Sequence, residues 1–199
     1  MSLRHSYTVI APLYDALLAT AATGVRAASL GQLPRKSGLH ILINGIGSGL
    51  DLPHLPPDQI YTGLDLTAAM LNRAKPRIGG LRVNLVQGDS LALPFASEHF
   101  DHAVLHLILA IVPDSSACLR ETARVLKPGG SVLILDKFLK PGETAWVRRT
   151  LNLVSRHIVT RLDVVFEEVL SRVPELKLER DVPVLAGGWF RSIRLVKTF

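Results

Sequence analysis

The stretch HILINGIGSGLD, residues 40 to 51, decides how the chain is read. An apolar run, Ile41-Leu42-Ile43, leads into Gly45-Ile46-Gly47-Ser48-Gly49. The pattern predicts a buried strand, a glycine turn and a helix start. Three glycines at alternate positions leave no Cβ in the way, so backbone N–H groups can approach a ligand closely. A glycine turn after the first strand of an α/β unit is the usual cradle for a nucleotide-like cofactor.

Outward from that turn, strands and helices alternate. Residues 7 to 31 show helical spacing, with Ile10, Leu13, Leu17, Leu18, Val25 and Leu30 on one stripe. Strand one covers roughly 40–45. A short helix is predicted from Leu50 to Leu55, strand two from Ile60 to Leu64 ending at Asp65, and a Thr67-capped helix from Ala68 to Lys75. Leu81 to Val86 is strand three, and Phe100 to Leu107, nearly all apolar, is a central strand four. Asp114 or Ser115 can cap a helix to Leu126. Pro128-Gly129-Gly130 predicts a sharp break before strand five, Ser131 to Asp136. Residues 143 to 173 have a helical pattern. Leu176 to Val182 and Phe190 to Val196 alternate, and without a crossover helix between them this pair is expected to be antiparallel.

A helix, five β-α units and a terminal strand pair imply a doubly wound, seven-stranded, mainly parallel Rossmann-like sheet with an antiparallel C-terminal strand. Ligands in such sheets bind outside the carboxyl ends of the strands. Gly45–Gly49, Asp65, Asp89, His106 and Asp136 are all placed there.

Composition narrows the class. The 199 residues, 48% apolar, fit one domain over 1–199, with 1–38 as an N-terminal helical lid segment. The lone Cys118 reads as a packed thiol, and no cluster has metal-ligand spacing. The N-terminus lacks the apolar run of a signal peptide, and no segment approaches the roughly 18 apolar residues of a membrane span. A cytoplasmic protein is expected. The net charge of +6 is scattered, with a modest excess after Trp146. That disfavours nucleic-acid binding, which calls for a dense basic stripe, and is compatible with peripheral contact to an anionic membrane surface. Nothing in the pattern speaks to oligomeric state.

A dinucleotide fingerprint would carry a third glycine where Leu50 or Leu52 stands, which counts against a nicotinamide cofactor. Four segments instead carry a family likeness: ILINGIGSGLDLP, YTGLDLTAAMLNRAK, VQGDSLALPFASEHFDHAVLHLILAIVPD and LRETARVLKPGGSVLILDKF, spanning roughly residues 40 to 138. In these the chain resembles the class I S-adenosylmethionine-dependent methyltransferases, near the branch of the ubiquinone/menaquinone and bacterial phosphatidylethanolamine N-methyltransferases. The opening YTVIAPLYDALL is similar to that branch's N-terminal segment.

The resemblance implies S-adenosylmethionine as cofactor and S-adenosylhomocysteine as product. It implies that Gly45, Gly47 and Gly49 pass under the cofactor's amino-acid end. Asp65, with Leu66 beside it, would take the ribose hydroxyls, and Asp89 would face the adenine amino group with Ser90 and Leu91 flanking the ring. His106 would lie near the methionine moiety and is the first candidate for a general base. Tyr7 and Tyr14 would belong to a lid over the cofactor. Read as residues alone, Asp65 is also a helix N-cap neighbour, Asp89 a turn former, His106 a core histidine and Asp136 a strand end. The expected function is methyl transfer to a small or lipid-like acceptor.

One position departs from the family. Its acid, two residues before the first glycine, is here Ile43. Asn44 is adjacent, but strand alternation points it to the other face. Either cofactor binding is weaker, or another group substitutes, or the chain is a degenerate member, a non-catalytic cofactor-binding module.

Overall fold

The structure is a computed structural model and describes residues 23–139, 164–185 and 188–198. Tyr7, Tyr14, Trp146 and most of the two expected helical stretches, 7–31 and 143–173, lie outside these residues. One helical segment, 23–30 (α1), precedes the sheet. The strands are β1 (His40–Asn44), β2 (Ile60–Asp65), β3 (Arg82–Gln87), β4 (Phe100–His106), β5 (Leu126–Lys137), β6 (Leu176–Leu185) and β7 (Phe190–Lys197). The described helices after α1 are α2 (Ala68–Ala74), α3 (Ser115–Val125) and α4 (Phe166–Ser171). Single 3-10 turns follow at Leu52–His54 and Lys75–Arg77.

β1 sits centrally because its apolar run is buried on both faces. It pairs in parallel with β2 on one side and β4 on the other, and the sheet order is β3-β2-β1-β4-β5-β7-β6. β7 runs antiparallel between β5 and β6, as the alternating C-terminal pair predicts. Period-two alternation sorts the core. Ile41 and Ile43 pack with Leu30, Leu33, Ile46, Leu52 and Leu71 under α1, the first 3-10 turn and α2. Leu42 points oppositely, into the cluster of Leu105, Leu119, Ile134 and Phe166 under α3 and α4.

Caps follow the expected chemistry. The Thr67 hydroxyl accepts the Met70 N–H, and the Asp114 carboxylate accepts the Ala117 N–H. Pro76 ends α2 at Ala74 by starting a 3-10 turn.

Residues 88–99 cross from β3 to β4 as a loop, fastened by the Arg124 guanidinium to the carbonyls of Leu93 and Phe95. Two expectations change. Pro128-Gly129-Gly130 does not separate α3 from β5, since the strand begins at Leu126 and carries these residues as a bulge. Phe100 pairs with Leu126 and His102 with Ser131, so four residues of β5 stand opposite Asp101. Finally, Val165 precedes α4 in an extended bridge to Leu139 rather than in a helix.

Gly130 is where the bulge closes on β4. A Cβ there would lie 2.5 Å from the Asp101 carbonyl oxygen and 2.9 Å from that of Lys127. Both are backbone atoms and cannot swing away. Gly130→Ala is therefore expected to destabilise the fold by about 1–3 kcal/mol, measured by urea denaturation. Unchanged stability would show that the bulge is loose.

Candidate active site

The carboxyl edge of the sheet is assembled around the exit of β1. The Gly45 and Ile46 N–H groups both donate to the Leu64 carbonyl at 2.9 Å, tying the glycine loop to β2. Gly45 has φ +77°, and a Cβ on it would meet Ile108 at 2.3 Å, so this glycine is demanded by the protein's own packing. Gly47 differs. Its φ is +54°, but nothing lies within 4 Å of where its Cβ would be. The middle glycine thus keeps space open at the crevice where strand order reverses between β1 and β4.

Asp65 bridges both sides of this crevice. Its Oδ2 accepts the Gly47 N–H at 3.0 Å, and its Oδ1 accepts the Thr67 N–H at 2.9 Å and the Thr67 hydroxyl at 3.1 Å. A carboxylate has about four acceptor positions, so one remains for a ligand hydroxyl, and a second is freed if the Thr67 hydroxyl turns away. Leu66 beside it is 65% exposed. Asp89 is exposed and accepts the Leu91 N–H at 2.8 Å, forming the turn that its sequence context suggested. Ser90 is buried and faces inward: its hydroxyl donates to Asn44 Oδ1 at 2.6 Å. Asn44 in turn donates to Thr122 Oγ1 at 3.2 Å. Asn44 does point away from Ile43, and there it fastens the Ser90 loop to α3. Cys118, against the same amide, is a packed thiol pushed up to about 12 by burial.

His106 lies at the end of β4, on the face of Ile43, whose β4 partner is Val104. Its ring is saturated. Nδ1 is 2.9 Å from Asp51 Oδ1, and Nε2 is 3.0 Å from Ser29 Oγ. A carboxylate only accepts, so the partners assign the Nδ1 proton to the ring and leave Nε2 to accept from the serine in the neutral tautomer. Asp51 Oδ1 also receives Arg26 Nη1 at 2.6 Å. Burial alone would push the Asp51 carboxyl up. The charges and hydrogen bonds of His106 and Arg26 outweigh it and hold the group at about 2.

Arg26, Ser29 and Asp51 escaped the sequence reading. Asp51 was visible at the end of the glycine stretch, two residues past Gly49. Arg26 and Ser29 carried only an i,i+3 spacing on an otherwise apolar helix. The place left without an acid by Ile43 is therefore not without charge. An acid, Asp51 at the start of the first 3-10 turn, stands on the same face of the sheet, bonded to His106.

Asp136 ends β5 fully buried. It accepts the Ala110 N–H at 3.1 Å and the Lys137 N–H at 2.8 Å. It thereby holds the turn after β4, where Leu107 has φ +59°, a strained value for a bulky residue. That turn carries Ile108 onto Gly45. Trp189 stands 46% exposed before β7, and Phe190 is half-buried.

A cofactor with a nucleoside and a charged amino-acid tail fits these residues. Gly47 leaves the space, Asp65 has acceptor capacity, and Arg26 Nε is a buried donor without a partner. Comparison with known proteins agrees. Residues 42–134 match the family model described as a methyltransferase domain. The chain is 30% identical over 162 residues to the phosphatidylethanolamine N-methyltransferase of Cereibacter sphaeroides, covering 79% of each chain. It is 35% identical over 121 residues to the demethylmenaquinone methyltransferase of Roseiflexus castenholzii, covering 56% of this chain and 51% of that one. In fold it is similar to an S-adenosylmethionine-dependent methyltransferase of Mesorhizobium loti, with a TM-score of 0.67 at 18% identity, covering 85% and 96% of the two chains. The chain belongs to the class I S-adenosylmethionine-dependent methyltransferases, and S-adenosylmethionine is its cofactor. Nothing in these likenesses supports the non-catalytic alternative raised by Ile43.

The buried Asp136 makes a pH prediction. Burial pushes its carboxyl up to about 6 from 3.8, against the pull of the Lys137 and Ala110 N–H groups. The folded state therefore binds more protons than the unfolded one between those values. The contribution is full below pH 4 and is lost as pH rises through 6, a swing of about 3 kcal/mol. Asp136→Asn should flatten this slope. The variant's stability relative to the parent should be higher at pH 7.5 than at pH 4.5, by denaturant titration. Parallel pH curves would refute the assignment.

Proposed function

We propose that the chain transfers the methyl group of S-adenosylmethionine to a small, lipid-like acceptor at the carboxyl edge of the sheet. The observation that carries the lipid-like reading is the placement of exposed apolar side chains. Leu50, Leu66, Met70, Ile111 and Trp189 are each more than a third exposed. Leu50 follows the glycine loop, Leu66 and Met70 follow β2, Ile111 follows β4, and Trp189 precedes β7. All of these stand at the carboxyl ends of the parallel strands. An apolar rim around a polar crevice suits an acceptor with an apolar body and a reactive head. The net charge of +6 favours approach to an anionic membrane surface. The names of two relatives, a phosphatidylethanolamine and a demethylmenaquinone methyltransferase, point the same way.

The cofactor supplies an electrophilic methyl group on a sulfonium. This chain's residues hold and orient. Gly47 gives close backbone approach, Asp65 takes the ribose hydroxyls, and Asp89 and Leu91 border the adenine. Leu66 lies beside the ribose. An amine acceptor needs only to arrive unprotonated, and alignment in a dry crevice then carries the displacement. A phenolic or carbon acceptor would need a base. His106 is that candidate, and with Nε2 bonded to Ser29 its proton path runs through the serine hydroxyl.

Asp65→Ala should weaken S-adenosylhomocysteine binding by about 1–3 kcal/mol in calorimetry; an unchanged affinity contradicts the ribose assignment. The acceptor class is tested by methylation of phosphatidylethanolamine in anionic vesicles and of demethylmenaquinone in micelles, beside soluble amines and phenols. Ile111→Glu and Trp189→Ala should slow turnover of the amphiphiles about tenfold, a loss of about 1.4 kcal/mol, and leave S-adenosylhomocysteine affinity unchanged. Turnover confined to soluble acceptors, insensitive to both substitutions, would remove the lipid-like reading.

A further inference from the structure

Among the described residues two buried side-chain nitrogens have no hydrogen-bond partner, Arg26 Nε and Arg194 Nε. They are not equivalent. Arg194 Nε lies against the Glu179 carboxylate in an ion pair, so its charge is answered. Arg26 Nε has no such neighbour. The Arg26 side chain is only 9% exposed, and its carboxylate contact, Asp51, engages Nη1. A buried guanidinium donor left unsatisfied is costly, and the fork of arginine is shaped for a second carboxylate.

Its place says which carboxylate. Arg26 is fixed by Asp51, two residues beyond Gly49, and through Asp51 by His106 at the end of β4. Ile43 pairs with Val104, so continuing that register sets His106 beside Gly45. The guanidinium thus stands on the β4 side of the glycine loop. Asp65 and Asp89, both anionic, stand on the β2 and β3 side. A ligand that is a nucleoside at one end and an α-amino acid at the other must lie across this loop. Its carboxylate is repelled by the acids and drawn to the cation. Arg77 also reaches the loop, donating to the Ser48 carbonyl, but the same nitrogen serves the Arg73 carbonyl and the side chain is solvated.

We propose that Arg26 receives the α-carboxylate of the methyl donor, with Asp51 holding its guanidinium from the position that compensates for the acid absent at Ile43. Nε, the donor left without a partner, is the group that receives it. Arg26 is a binding residue, and Asp51 and His106 are positioning residues for it.

This rests on the cofactor assignment, and the test separates the two. Binding is measured by calorimetry with S-adenosylhomocysteine, with its decarboxylated analogue, and with 5′-methylthioadenosine, which keeps the adenine and ribose but has no amino-acid end. Wild-type protein should bind S-adenosylhomocysteine about tenfold or more tightly than the decarboxylated analogue. Arg26→Met should lose about that factor for S-adenosylhomocysteine and keep its affinity for 5′-methylthioadenosine. Arg26→Lys should recover part of the loss, since it restores charge without the fork. Equal wild-type affinity for the acid and its decarboxylated analogue would overturn the proposal alone and needs no variant to fold. So would an Arg26→Met protein that loses both nucleosides alike, or neither. A wild-type protein that binds none of the three would overturn the cofactor assignment together with this proposal.

Discussion

A strand buried on both faces can release its chain only at its ends, and β1 is such a strand. Ile41 and Ile43 are sealed under one layer of helices and Leu42 under the other, while β2 and β4 occupy both edges. The backbone must turn out at Asn44, and it does so through a glycine because Ile108 leaves no room for a Cβ at Gly45. The functional features described above stand at that exit. The carbonyl of Leu64 and the carboxylate of Asp65 catch the emerging N–H groups, so β2 positions the loop as much as β1 does.

The same constraint explains the polar side chains beneath the site. A charge or amide near the end of a buried strand must be answered locally. Asn44 is answered by Ser90 and Thr122 on the α3 face. On the opposite face, Asp51 is answered by Arg26 and His106, and His106 by Ser29. Each set draws on elements far apart in sequence and links loops that would otherwise move independently. Asp136 does this for the turn after β4, at the cost of a buried carboxyl whose ionisation opposes folding. The edge is held together by paired polar groups, and the apolar core lies below it.

The fold was largely legible because its signals are local. Strand limits, the Thr67 and Asp114 caps and the antiparallel C-terminal pair each follow from residues within a few positions of one another. The errors fell where partners are distant. Pro128-Gly129-Gly130 reads as a break from its own composition, yet β4 pairs on both sides of it and turns it into a bulge. The loop from β3 to β4 carries no pattern that reveals Arg124 as its anchor. Asp65 and the glycines were recoverable for the same reason as the strands: their spacing is short and their chemistry is carried by single residues.

By itself, the sequence determined the class of sheet, the glycine exit of β1 and the two acids that follow β2 and β3, because periodicity and turn chemistry act over a handful of residues. It also exposed the missing acid at Ile43. Only the tertiary structure decided what stands in that space. Asp51 comes from the following turn, Arg26 and Ser29 from a helix before the sheet, and His106 from β4. Their convergence depends on the sheet order that sets β4 beside β1, and no local pattern encodes that order. A buried charge finds its partners through packing, so the network behind HILINGIGSGLD could be seen only once the strands were side by side.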